Sequence, residues 1–102
     1  MKKFHHYEVS LEERVLEDFE NAFIYYESIS SALSTNFTRM FQLAIDKLSV
    51  SPYNYLKLSK KLRRISLGKF PYVLVYTIKD DVVIIAGLFH KASRPSNWRK
   101  KK

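Results

Sequence analysis

An α+β fold, two helices packed on one face of an antiparallel sheet, is predicted by three observations. The apolar period changes from helical spacing to strict alternation beyond Pro52. The turns within the alternating half, at Gly68-Lys69 and Asp80-Asp81, are too short for a parallel crossover and demand antiparallel pairing. Charge is divided along the chain: residues 1–51 carry five Lys/Arg against eight Asp/Glu, and residues 52–102 carry thirteen against two. The acidic half reads as helices and the basic half as strands, so one face of the domain is suited to an anionic partner.

Phe4 to Val9 is the first strand candidate. Ser10, with Glu13 three residues on, has the form of a capping box. Val15, Phe19, Ala22, Phe23, Tyr26 and Ile29 then recur at helical spacing, with Glu12, Glu17, Asp18, Glu20 and Glu27 on the remaining surface. The serine-rich stretch Ser28–Ser34 breaks the pattern, and Ser34 is placed to cap a second helix with the stripe Phe37, Met40, Phe41, Ala44, Ile45 and Leu48. That helix ends before Pro52, because the residue preceding a proline avoids helical geometry. The two form an antiparallel helical hairpin.

Tyr53 to Lys60 reads as a loop. Leu62–Leu67 alternates, with Ile65 and Leu67 on one face and Arg64 and Ser66 on the other. Tyr72–Ile78 and Val82–Phe89 follow as strands around the Asp80-Asp81 turn. Val82–Phe89 is apolar on both faces and belongs in the centre of the sheet or under a covering partner. The expected order is β-α-α-β-β-β, with the second face of the sheet left open to a partner.

The 102 residues make one domain, with residues 95–102 as a basic tail. Apolar residues at 46% exclude disorder. The chain has no cysteine, which fits a reducing cytosol, and Phe4–Glu8 interrupts any signal-peptide core, so a cytoplasmic location is expected. Val82–Phe89 is far too short to span a membrane. No cofactor is expected: there is no Gly-rich phosphate loop and no nucleophile with a base at motif spacing. No metal site is expected either, since His5 and His6 are strand neighbours facing opposite ways. Lys60, Lys61, Arg63 and Arg64 form a basic cluster, either a solvated face or a contact for an anion. Lys69, Lys91, Trp98 and Arg99 complete the set of candidate binding residues. Trp98 is also suited to pinning the tail to the sheet, and Arg99–Lys102 to keeping it solvated.

The segment Phe70–Tyr76, the Asp80-Asp81 turn and the run Ile84–Pro95, followed by Trp98, resemble the RelE/ParE superfamily of toxins from type II toxin–antitoxin pairs. The sharpest part is the hairpin followed by His90, Arg94, Pro95 and Trp98. The resemblance implies a growth-inhibiting toxin neutralised by a cognate antitoxin through an acidic or amphipathic segment. Members of the RelE branch cleave messenger RNA on the ribosome, and for that reaction His90 would be the acid/base and Arg94 and Arg64 the phosphate clamps. Ser66 and Val73 stand where that branch has further basic residues, and no tyrosine follows Arg94. The depleted set leans to the ParE branch, which poisons DNA gyrase by binding. A ribosome-dependent endoribonuclease and a non-toxic nucleic-acid-binding module are the alternatives.

Overall fold

A computed structural model describes residues 6–93. The elements run β1 (Glu8–Leu11), α1 (Glu13–Glu27), α2 (Ser31–Val50), a 3-10 turn (Pro52–Asn54), β2 (Leu56–Lys57), β3 (Arg63–Ser66), β4 (Tyr72–Lys79) and β5 (Val82–His90). The sheet order is β1-β5-β4-β3-β2. β2 through β5 are antiparallel, as the short turns require. β1 instead pairs parallel to β5, Glu8 opposite Val82 and Leu11 opposite Ile85, so the sheet is mixed. The two helices between β1 and the rest of the sheet supply the crossover that a parallel return needs.

Several local expectations are corrected. The first strand spans Glu8–Leu11 rather than Phe4–Val9, and Phe4 and His5 lie outside the described residues. Ser10 forms no capping box, because it is committed to the β5 ladder opposite Ile84. Glu12 occupies the N-cap of α1 without a side-chain cap, and its N–H bonds the Ile85 carbonyl at 3.0 Å. Ser30, not Ser34, caps α2, its hydroxyl accepting from Leu33 N–H at 3.1 Å. Ser34 is a buried residue inside the helix and donates to the Glu27 carboxylate, which ties α2 to the end of α1. Ile29 falls past the end of α1 and is 56% exposed. The predicted loop after Pro52 contains the 3-10 turn and β2. α2 does end before Pro52, with Val50 its last residue.

Helices and sheet bury one apolar layer. Val15 and Ala22 of α1 and Phe37, Phe41, Ala44 and Leu48 of α2 meet Ile65, Leu74, Tyr76, Val83, Ile85 and Leu88 of the strands. Each fully buried aliphatic side chain contributes about 1.5–3 kcal/mol by leaving water. Phe37 is the hub, with ring centroids 5.2–5.6 Å from those of Phe19, Tyr26, Phe70 and Tyr72. Tyr76 carries the one phenol buried completely in this layer, and its hydroxyl donates to the Pro52 carbonyl at 2.6 Å. Burial pushes that phenol far above its ordinary value.

The second face is not left open as expected. Val73 and Val75 are fully buried there beneath Leu58, Leu62 and Phe89, so the chain's own β2–β3 connection closes it over β3 and β4. A bulge opposite Val75 and Tyr76 leaves Ala86 without a direct partner in the ladder. At Gly87, beside it, a Cβ would stand 2.3 Å from the Phe89 ring, so the ring folds over the bare backbone. The Asp80-Asp81 turn has both residues at positive φ, the conformation a two-residue hairpin loop requires. No helix among the described residues is long and apolar enough to cross a membrane.

Candidate functional site

His90 ends β5 and sits opposite Tyr72. Residues directly paired across antiparallel strands share a face. Tyr72 packs into the helix-side layer, and the His90 ring meets it edge-on with centroids 5.2 Å apart. His90 therefore faces the helices, in a shallow cleft of about 400 Å³ with Asp18, Asn21, Tyr25, Tyr72 and Ser93. Its Nδ1 accepts the Ala92 N–H at 3.0 Å and its carbonyl accepts the Ser93 hydroxyl at 2.6 Å. Nδ1 is thereby occupied as a hydrogen-bond acceptor. Burial, and then the neighbouring Tyr25, raise the Tyr72 phenol above its ordinary value, so it stays protonated beside the histidine.

Arg64 lies elsewhere. It pairs with Leu56 on one side and Val75 on the other, and Val75 belongs to the second face. His90 and Arg64 thus project from opposite faces of the sheet. They are also two strands apart, roughly 10 Å, and their ladder positions on β4, Tyr72 and Val75, are separated by another 10 Å or so. The structure does not bring these two candidates together. Arg94, Trp98 and Arg99 lie outside the described residues.

The other candidates divide between the two ends of β4. Lys69, exposed after the Gly68 turn, and Lys91, whose N–H bonds the Pro71 carbonyl at 2.8 Å, lie at the Tyr72 end with His90. Gly68 holds φ at +61°, and Met40 Sδ would be 2.8 Å from any Cβ there. Lys60, Lys61 and Arg63 lie at the Lys79 end. Arg63 faces Tyr76, and its Nη1 donates to the Tyr53 and Tyr55 carbonyls at 3.1 and 2.8 Å. Its guanidinium stands 5.4 Å from the Tyr53 ring centroid, so it braces the 3-10 turn.

Lys60, Lys61 and Arg63 line an open cleft of about 600 Å³ together with Tyr53, Lys57, Thr77, Ile78 and Lys79. Lys57, Lys79 and Tyr53 were not among the residues picked from the sequence. Lys57 lies in the segment read as a loop, and Lys79 abuts two aspartates that mask its charge in any local count. What this arrangement can do chemically is hold an anion by charge. Among the described residues no group of acidic and histidine side chains is placed to hold a metal ion.

Residues 9–95 match the family model described as ParE toxin of type II toxin–antitoxin system, parDE. No curated protein sequence matches the chain. Among solved structures, a chain of the chromosomal ParDE toxin–antitoxin system from P. aeruginosa is similar with a TM-score of 0.72 at 12% identity, covering 84% of this chain and 97% of that one. A mutant of the E. coli toxin RelE in the free state is similar with a TM-score of 0.60 at 20% identity, covering 90% and 92%. The archaeal RelE–RelB complex from Pyrococcus horikoshii gives 0.58 at 21%, covering 87% and 99%. At these identities the structural likenesses establish a shared fold.

Proposed function

The chain belongs to the ParE toxin family of type II toxin–antitoxin systems, and on that premise we propose that it arrests growth by binding DNA gyrase rather than by cutting RNA. The observation that carries this reading is the separation of His90 from Arg64 by the body of the sheet. Cleaving a phosphodiester needs a proton-transfer group and fixed cations converging on one phosphate. Here the histidine faces the helices with its lone pair engaged, and the arginine faces the other way. A toxin that acts by docking needs no such convergence. Gyrase as the target places the protein in the cytoplasm.

The partner that neutralises it is a cognate antitoxin presenting an acidic, amphipathic segment. A net charge of +8 supports the acidic part. Apolar side chains left in water on the helical hairpin, Leu16, Ile24, Tyr25 and Leu43 among them, support the amphipathic part.

Induction of the chain alone is expected to stop growth and raise the DNA-damage response, and co-expression of the adjacent antitoxin frame to relieve both. His90→Ala is expected to keep full toxicity. Growth arrest with fragmented transcripts and no DNA-damage response, abolished by His90→Ala, overturns the gyrase reading in favour of a ribosome-dependent ribonuclease.

A further inference from the structure

The sheet ends in a notch at the Lys79 end. β3 is paired with β4 only as far as Tyr76, whereas β4 runs on to Lys79. Into the space beside Thr77–Lys79 come Lys60 and Lys61 from the β2–β3 connection, Lys57 from β2 and Arg63 from β3. Among the described residues five cations and no carboxylate line this cleft; Asp80 and Asp81 follow Lys79 in the turn but are not part of the lining. The fold even sets Lys57 directly opposite Arg63 on the neighbouring strand, a like-charge pairing that destabilises a sheet. Repulsion of this kind is relieved by an anion with several charges.

We propose that this cleft is a binding site for the phosphate backbone of duplex DNA. The charged groups left available are mainly lysines, compact charges on flexible stems that suit phosphates without fixed geometry. The one guanidinium already gives Nη1 to two backbone carbonyls, so the cleft attracts an anion by charge rather than by a bidentate fork. The lining argues against an acidic amphipathic protein segment: among the described residues only Ile78 in it is aliphatic. Single strands are held on aromatic platforms as well as by charge. Among the described residues Tyr53 is the only aromatic in the lining; Arg63 lies over its ring and Tyr7 meets it edge-on at 6.2 Å. Unpaired bases have nothing free to stack on, whereas a duplex offers its phosphates and asks for nothing else. Such binding does not depend on which macromolecule the toxin poisons.

The test is fluorescence anisotropy of a short labelled DNA duplex of scrambled sequence, titrated with the full chain across a salt series. Lys60→Gln/Lys61→Gln is expected to weaken binding about tenfold at low salt and to reduce the slope of log K against log salt by about 2. Lys79→Gln alone is expected to reduce it by about 1. Arg39→Gln/Lys47→Gln removes the same charge from the exposed surface of α2 and is expected to stay within about twofold of the parent. In thermal melts without DNA the Lys60/Lys61 variant is expected to melt at or above the parent temperature. Equal losses in the two double variants would mean a response to net charge, and undiminished binding in the cleft variants would place the contact elsewhere; either overturns the site. Displacement of the probe by polyglutamate or single-stranded DNA more readily than by unlabelled duplex overturns the choice of ligand. The assay contains no gyrase, so its failure is distinct from a failure of the proposed target.

Discussion

The two ends of β4 are built on opposite principles. At the Tyr72 end, rings fill the space: Tyr26, Phe37, Phe70, Tyr72 and His90 meet one another at 5.0–5.6 Å. Their positions are set by contact, and the His90 ring among them is held by a backbone N–H. At the Lys79 end, five cations and no acidic side chain among the described residues line an open space. One end is finished by the chain itself and the other is completed by something it must find. Stability and recognition are thereby assigned to different ends of one strand, joined midway by Tyr76 and its bond to Pro52.

Three perturbations test that division. The largest effect is expected from Phe37→Ala, which empties the hub of the aromatic end. Denaturant unfolding should show a loss of about 3–5 kcal/mol; a loss below about 1 kcal/mol would mean that the rings collapse onto the gap and that this end is not the stabilising one. Tyr76→Phe comes next. It leaves the buried Pro52 carbonyl without its donor and should cost about 1–3 kcal/mol. The same variant sharpens the pH dependence. Because the folded phenol ionises above its ordinary value of 10.0, the stability tied to its protonated form is complete below that pH. It is lost as the pH rises beyond it, where the unfolded chain releases its proton first. Parent stability should fall above about pH 10, and less steeply in Tyr76→Phe. The smallest effect concerns the cationic end. Moderate salt should raise the melting temperature of the free protein by screening Lys57, Lys60, Lys61, Arg63 and Lys79, by an amount equivalent to a few tenths of a kcal/mol. Neutralising Lys60 and Lys61 should remove part of that rise.

Much of the fold could be read directly from residues. The stripes of α1 and α2, the stop before Pro52 and the Asp80-Asp81 hairpin each rest on local chemistry that tertiary structure left standing. Local rules failed where a distant strand competed. Ser10 with Glu13 satisfies a capping pattern, yet the ladder to β5 claims Ser10, and nothing near Ser10 announces a parallel partner in Val82–Ile85. Ser30 and Ser34 are equally good caps by composition; the helix starts at the first, and the second becomes an interior residue bonded to the Glu27 carboxylate and the Ser31 carbonyl. β2 is two residues long, too short to show any period. For the site, the residue types were visible but their sides were not. Whether His90 shares a face with Arg64 depends on pairing Tyr72 with His90 and Val75 with Arg64, a register no single strand encodes. Lys57 and Lys79 went unnoticed because a cleft assembled from three strands has no linear signature.

The parallel seam between β1 and β5 imposes an order in time. During synthesis Glu8 leaves the ribosome early and Val82 late, so the edge strand cannot be seated until the last hairpin has emerged. Apart from β1, every strand of the sheet is made after the helical hairpin. A chain whose synthesis stops before Val82 therefore has no seat for β1, and one that stops before Lys79 also lacks a wall of the lysine notch.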